Sequence, residues 1–140
     1  MGRIRAFAIG LLVGLLVVST VPAAHAIAYS GWVSRGTING YTYQTQAFVD
    51  TAGTPYGGGQ LMGNKEFPAG WGGVGGHLVL NDTTICSTVA MSYSTAAVLI
   101  LSNSATGNCG SGVYSTLAAF DIWNGSSYTR FGQAAPYQNK

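Results

Sequence analysis

Side chains that commonly catalyse reactions are scarce in this sequence. Of its two histidines, His77 is the one that follows residue 26. Nucleophile–base catalysis requires an imidazole or an equivalent base close to a hydroxyl or thiol, and no serine lies in a Gly-x-Ser-x-Gly turn. His77 stands between Gly76 and Leu78 at the start of an apolar stretch, where we expect a hydrogen-bonded structural role.

The four carboxylates do not form an evident catalytic pair. Glycoside hydrolysis usually needs two facing carboxyl groups. Asp50 ends a predicted strand and Asp82 belongs to a predicted turn. Glu66 follows a lysine, and Asp121 lies diagonally across from Arg130, with which we expect it to pair. Each carboxylate has a structural explanation, so we predict no enzyme, no catalytic residue and no cofactor.

The two cysteines, Cys86 and Cys109, allow a single intramolecular pairing. In the chain-entropy account, a disulfide across this spacing stabilises the fold by about 3.5 kcal/mol. The alternative is a pair of free buried thiols, but the export signal described below favours the disulfide. Two sulfurs and one histidine cannot complete the four ligands of a structural zinc site, so no metal is expected.

Aromatic residues are the side chains best suited to binding, because three tryptophans and eight tyrosines are present. A flat amphipathic ring fits the face of a sugar or the surface of a protein partner. The structural alternative is core packing, which accounts for most such rings in small β-proteins. Trp71 is the best exposed candidate because glycines surround it. The candidate binding residues are Trp71, Trp32, Tyr43, Trp123 and Tyr128.

The N-terminus predicts export. Arg3 and Arg5 precede an apolar run from Ala6 to Val18, and a small-x-small motif ends at Ala26. This order is typical of a secretory signal peptide over residues 1–26, with cleavage after Ala26 or alternatively Ala28. The run is short for an uncleaved membrane anchor. We therefore expect a secreted, extracellular protein that has no membrane association after cleavage.

Residues 27–140 carry balanced charge, which restricts the classes of partner. The four basic side chains in this range are Arg35, Lys65, Arg130 and Lys140, and they balance the four acidic ones. No basic surface remains to neutralise phosphates, so nucleic acid is not an expected partner. Low charge also removes colloidal repulsion and favours self-association.

The first predicted strands form a hairpin around Asn39–Gly40, which joins residues 31–38 to residues 41–49. Asn-Gly favours a two-residue type I′ turn, which places Ile38 opposite Tyr41. Side-chain alternation then predicts one buried and one solvated face. The predicted buried face contains Trp32, Ile38, Tyr41, Tyr43 and Ala47. The opposite face contains Arg35, Thr37, Thr42, Gln44 and Gln46.

Residues 50–76 are predicted to be a glycine- and proline-rich loop with at most one short strand near Gln60. Such a loop is either a mobile binding segment or an irregular crossover. A second hairpin is expected around Asn81–Asp82, followed by a strand at 96–101 that is buried on both faces. A third hairpin is expected around Asn124–Gly125, and the tail at 133–140 is expected to be frayed.

About seven short strands predict an all-β fold in a single secreted domain over residues 27–140. We expect a small antiparallel β-sandwich, or alternatively a barrel. One disulfide is expected to tie the loop before the penultimate strand to an earlier strand.

Two segments, Asn108-Cys-Gly-Ser-Gly-Val-Tyr114 and Trp123-Asn-Gly-Ser-Ser-Tyr128, resemble the C-terminal half of small exported proteins of filamentous Gram-positive (actinobacterial) soil bacteria. Those proteins resemble this chain in having a signal peptide and one disulfide. The resemblance extends over residues 86–128 and implies bacterial secretion. It implies no activity and no site residue.

These observations favour a non-catalytic, secreted binding protein whose partner is an envelope glycan or a protein. One form of this hypothesis makes the protein a subunit of a larger exported assembly. The alternative is a secreted inhibitor of an extracellular hydrolase that presents the disulfide-anchored segment Ser104–Asn108 as a rigid loop. A third hypothesis is an enzyme of unfamiliar design that uses His77, Glu66 and Asp121.

Overall fold

The computed structural model describes residues 26–140, and every regular element in that range is a β-strand. The strands are β1 (Ala28–Tyr29), β2 (Val33–Ile38), β3 (Tyr41–Asp50), β4 (Tyr56–Phe67), β5 (Gly72–Leu80), β6 (Thr84–Tyr93), β7 (Val98–Thr106), β8 (Val113–Trp123), β9 (Tyr128–Ala134) and β10 (Gln138–Asn139). The predicted signal peptide lies, except for Ala26, outside the described residues.

The strands form two five-stranded sheets in which all pairings are antiparallel. The first sheet has the order β1-β3-β4-β7, with β2 also pairing with β3. The second has the order β10-β8-β5-β6, with β9 also pairing with β8. The inner faces of the two sheets pack on each other, which confirms the predicted all-β antiparallel sandwich, although ten strands replace the expected seven. The largest core side chains are Tyr43, Leu61, Phe67, Leu78, Tyr114 and Phe120.

The first hairpin is confirmed. Asn39 and Gly40 have φ angles of 49° and 83°, and Ile38 lies opposite Tyr41. Tyr43 and other odd-numbered residues of β3 face the core, as the alternation predicts. The predicted faces are wrong at three residues. Trp32 is exposed just before β2 begins, and Gln46, predicted to be solvated, is only 9% exposed. Arg35 lies beside the buried Thr45, because the register shifts between Ser34 and Gly36.

The prediction of a loop over residues 50–76 is wrong, because β4 and β5 occupy most of this range. The glycines within β4 and β5 lie where other groups come too close for a side chain. A Cβ atom on Gly59 would lie 2.7 Å from the Phe120 ring, and one on Gly72 would lie 2.6 Å from the Phe67 ring. Glycine here permits close packing of strands and does not indicate irregular chain.

The strand predicted at 96–101 is not buried on both faces. β7 lies at the edge of the first sheet, and Leu99 and Ile100 are 46% and 47% exposed. β7 also continues to Thr106, so the segment 104–108 is a strand for most of its length and Ala105 is buried. The rigid loop expected for an inhibitor is therefore absent from this segment.

The third hairpin has a four-residue loop, Asn124–Ser127, instead of a two-residue turn. Three hydrogen bonds to the Asn124 side-chain oxygen, from the Ser126 and Ser127 amides and the Ser126 hydroxyl, hold this longer loop. Its register places Asp121 directly opposite Arg130. The predicted pairing of these two side chains is confirmed.

The prediction of a frayed tail at 133–140 is also wrong. β10 pairs with the start of β8, and Lys140 and Gly112 exchange backbone hydrogen bonds of 2.9 and 3.3 Å. The Tyr137 hydroxyl donates to Asp82 over 2.8 Å. The backbone bonds satisfy main-chain groups, and the Tyr137–Asp82 bond ties the tail to the β5–β6 turn.

One side of the sandwich, formed by β6 and β7, is closed covalently. The predicted disulfide is present and joins Cys86 of β6 to Cys109 in the β7–β8 connection, with a Cα–Cα distance of 5.6 Å. On the same side, the Asn103 amide donates to the carbonyls of Val74 and Ala90, at 3.1 and 3.3 Å. One side chain of the first sheet thus contacts two strands of the second.

The opposite side is closed by a polar network around Gln133 of β9. The Gln133 side-chain oxygen accepts from Thr45 and Arg35, at 2.6 and 3.1 Å. Its amino group donates to the Ser30 hydroxyl and the Gly31 carbonyl, at 2.5 and 3.1 Å. No covalent bond contributes on this side within residues 26–140.

Candidate functional site

Three aromatic side chains form a cluster on the outer face of the second sheet. The aromatic cluster consists of Tyr93 at the end of β6, Trp123 at the end of β8 and Tyr128 at the start of β9. The Tyr128 ring centroid lies 4.8 Å from that of Tyr93 and 5.3 Å from that of Trp123. Tyr93 and Tyr128 are 36% and 41% exposed, so the cluster presents ring surface to solvent.

A glycine allows the cluster to assemble. Tyr93 and Tyr128 belong to strands separated by β5 and β8. Gly73 of β5 pairs with Tyr93, and a Cβ atom on Gly73 would lie 2.8 Å from the Tyr93 ring. Because Gly73 has no side chain, the Tyr93 ring lies across the sheet and reaches Tyr128.

Hydrogen bonds fix the orientation of both tyrosine rings. The Tyr93 hydroxyl donates to Asp121 Oδ2 over 2.8 Å, and the Tyr128 hydroxyl donates to the Gly70 carbonyl over 2.5 Å. Asp121 is buried and also accepts two hydrogen bonds of 2.7 Å from Arg130. Such a bidentate pair is strong and geometrically specific.

The electrostatics of this ion pair follow from its hydrogen bonds. The Arg130 hydrogen bonds hold the pKa of Asp121 below its usual value, against the opposing effect of burial. The hydrogen bond to Asp121 raises the pKa of Tyr93. Tyr93 therefore stays a neutral donor and Asp121 a charged acceptor at neutral pH, which maintains the cluster geometry.

Trp71 lies next to the cluster but has a different role from the one expected. Its carbonyl accepts the Trp123 backbone N–H over 2.9 Å. Its half-buried ring packs edge-on against Tyr41 at 5.5 Å and closes one end of the core. Trp71 is therefore linked to the cluster through its backbone, and its ring, packed against the core, is largely unavailable to a ligand.

The other predicted binding residues are not brought together. Tyr43 is fully buried, its hydroxyl has no hydrogen-bond partner among residues 26–140, and burial raises its pKa to about 12. It is a core residue, so its prediction as a binding residue is wrong. Trp32 is exposed next to β2 of the first sheet, away from the cluster.

Sequence reasoning missed Tyr93. The residue ends a strand that was predicted correctly, but its contact with Tyr128 depends on Gly73 lying beside it. A glycine opposite an aromatic residue in neighbouring strands is the signal that could have indicated it. That signal was hidden because residues 50–76 were interpreted as a loop.

Of the side chains considered for catalysis, His77 and Asp121 have structural partners, and Glu66 is exposed near the end of β4. His77 Nδ1 lies 2.8 Å from the Thr88 hydroxyl on the neighbouring strand. Asp121 is engaged by Arg130 and Tyr93. Within residues 26–140, no group of three or more His, Cys, Asp or Glu side chains is arranged to hold a metal ion.

Comparison with known proteins adds no further information: no family model matches the chain, and neither does any curated protein or solved structure. The resemblance to exported actinobacterial proteins therefore stays a prediction. In the described range, none of the residues forms a helix of the length and apolarity needed to cross a membrane.

Proposed function

We propose that this protein is a secreted, non-catalytic carbohydrate-binding protein whose aromatic cluster stacks against the faces of sugar rings. The observation that carries the proposal is the presence of two partly exposed tyrosines and a tryptophan in ring-to-ring contact on one sheet face. Tyrosine and tryptophan rings combine an apolar face with a polar edge, as sugar recognition requires.

Preorganisation supports this function. Hydrogen bonds to Asp121 and Gly70 already hold the Tyr93 and Tyr128 rings in place. Little side-chain entropy is then lost when a ligand stacks on them. Arg130 is largely exposed and uses Nε and Nη2 for Asp121, so its Nη1 donors are available to a sugar hydroxyl.

The surroundings of the cluster favour a sugar over a large protein partner. The polar groups next to the rings are the side chains of Asp121 and Arg130 and the serine-containing loop Asn124–Ser127. A stable protein interface usually buries about 800 Å² on each partner and has a wider apolar centre. A small aromatic surface beside polar side chains is a better match to one or two sugar rings.

Substitution of the central ring tests the proposal. We expect Tyr128→Ala to weaken binding to a glycan identified on an array of bacterial envelope glycans at least ten-fold, about 1.4 kcal/mol. The control is Tyr137→Ala, which removes an exposed tyrosine in the connection between β9 and β10. Isothermal titration calorimetry measures both, and thermal unfolding shows whether each variant is folded.

Two results would contradict the proposal. One is the absence of any glycan bound by the oxidised, secreted protein. The other is equal affinity of folded Tyr128→Ala and of the native protein. If Tyr128→Ala does not fold, Trp123→Phe provides the same comparison, because it keeps an apolar ring while reducing the stacking area.

A further inference from the structure

The outer face of the first sheet carries a row of glutamine side chains, which we name the amide row: Gln44 and Gln46 of β3 and Gln60 of β4. Gln46 lies directly opposite Gln60, which in turn lies opposite Ser102 of β7. Because side chains alternate along a strand, the row lies on the face opposite to the core residues of β3. It therefore lies on the other side of the sandwich from the aromatic cluster.

The amides of this row are not used by the fold. In residues 26–140 the glutamine side chains that form hydrogen bonds are Gln133 and Gln138. Gln46 is only 9% exposed as a residue, but its amide atoms are not among the buried side-chain atoms that lack a partner, so they are in contact with solvent. The amides of the row are therefore open to a ligand that supplies a donor and an acceptor.

A shallow pocket adjoins the row. Its volume is about 170 Å³, and its lining residues are Thr42, Gln44, Met62, Gly63 and Asn64. It lies where β4 departs from β7, at the irregularity in their register between Met62 and Phe67. Asn64 Oδ1 accepts from the Thr42 backbone N–H at 3.1 Å, which leaves the Asn64 amino group available to a ligand.

The charges on this face indicate an uncharged ligand. The amide row and the pocket lining contain no Lys, Arg, Asp or Glu. Asp50, at the far end of β3 on the same face, is buried, and its Oδ1 accepts from the Ala52 backbone N–H at 2.7 Å. No cation is therefore available in the row for a carboxylate- or phosphate-bearing chain.

We infer that the amide row and its pocket bind an uncharged saccharide that carries acetamido groups. An acetamido group offers one N–H donor and one carbonyl acceptor, which complement the donor and acceptor of a glutamine amide. The inference rests on the proposed function for the class of ligand, but it concerns a separate site. Two sugar-binding faces on opposite sheets would let one molecule bridge two glycan chains and raise its overall avidity.

Side-chain amide signals in nitrogen-15 NMR spectra of the oxidised, secreted protein test this inference directly. Hexa-N-acetylchitohexaose and cellohexaose are suitable probes, because they differ in acetamido against hydroxyl groups on similar backbones. We expect the acetamido probe to shift the NH2 signals of Gln44, Gln46 and Gln60. Cellohexaose is expected to bind at least ten-fold more weakly, as judged from the same NH2 signals.

Variants separate the two sites. The double variant Gln44→Ala with Gln60→Ala is expected to bind the acetamido probe at least ten-fold more weakly. The affinity is measured from the remaining Gln46 signal, and the unfolding midpoint is expected to be unchanged. The control Asn139→Ala, an exposed amide at the end of β10, is expected to retain binding. Binding at the amide row is also expected to persist in Tyr128→Ala, which disables only the aromatic cluster.

Three outcomes would overturn the inference. They are the absence of glutamine shifts with the acetamido probe, equal shifts with both probes, and unchanged affinity in the folded double glutamine variant. None of these depends on whether Tyr128→Ala loses its array glycan. Failure of the amide row is therefore distinguishable from failure of the aromatic cluster.

Discussion

The two sides of the sandwich are closed by different kinds of interaction. The β6–β7 side has the Cys86–Cys109 disulfide and the bridging amide of Asn103. The β2–β9 side has the hydrogen-bond network around Gln133, which includes Arg35. A disulfide acts mainly by restricting the unfolded chain, whereas a hydrogen-bond network acts in the folded state. The first side should therefore respond to redox conditions and the second should not.

The largest expected effect comes from removing the disulfide. Replacing both cysteines by serine should lower the free energy of unfolding by about 3.5 kcal/mol, because the ring no longer restricts the unfolded chain. Denaturant unfolding of the oxidised protein and of the variant measures the difference. Native protein treated with a reductant should match the variant. A loss below about 1 kcal/mol would show that the stability of the β6–β7 side does not depend on the disulfide.

Overpacking of the same side should have the next largest effect. In Gly58→Ala, the added methyl group meets the Asn103 carbonyl and lies 2.7 Å from Ser104 Cα, and neither backbone atom can move aside easily. We expect a loss of about 3 kcal/mol, at the upper end of overpacking costs. Chemical denaturation measures it.

Gly132 on the β2–β9 side provides the matched control for Gly58. The nearest atom to a Cβ on Gly132 is the Ala118 carbonyl oxygen at 4.0 Å, and its backbone conformation suits any residue. Gly132→Ala should therefore change stability by no more than about 0.5 kcal/mol. Similar losses in both variants would contradict the view that β4 needs glycine for close packing.

The smallest expected effect is that of low pH on stability. Neither closed side of the sandwich should be destabilised strongly by acid, because Arg35 stays charged and the other side chains that close the two sides are neutral. The acid response is expected instead from Asp121, whose pKa is lowered by Arg130 in the folded state. A lowered pKa contributes stability that is present above the ordinary carboxyl value, about 4. That contribution is lost as the pH falls through the folded pKa.

Asp121→Asn should consequently be less stable than the native protein at pH 7 and should show a flatter stability profile below about pH 5. Thermal unfolding across a pH series measures both. Asp82→Asn is the control, because Asp82 accepts from Tyr137 in an exposed turn. A native acid profile in Asp121→Asn would assign the acid response to another carboxylate.

Local patterns account for the parts of the fold that were predicted correctly. Asn39–Gly40 specifies its own turn, and the turn sets the register of β2 and β3. Face alternation in β8 and β9 then places Asp121 and Arg130 together even though the loop is two residues longer than expected. Trp123 and Tyr128 were candidates by residue type alone, and both belong to the aromatic cluster.

The errors have a common origin in long-range packing. The glycines of β4 and β5 indicated a loop because their local conformational freedom is high. Glycine is needed at these positions because groups such as the Phe120 ring, which is distant in sequence, lie too close for a side chain. The same holds for Tyr93, whose role depends on Gly73, and for Gln133, which lies in the segment predicted to be frayed.

Local sequence patterns were enough to predict the antiparallel strands, the positions of two hairpin turns and the cysteine pairing, because turn residues, alternation and a single cysteine pair do not depend on distant neighbours. Three features follow instead from long-range packing: which glycines are strand residues, which tryptophan is covered, and which glutamines form no hydrogen bond within residues 26–140. The space and the hydrogen-bond partners available at each of these positions come from strands that are distant in sequence.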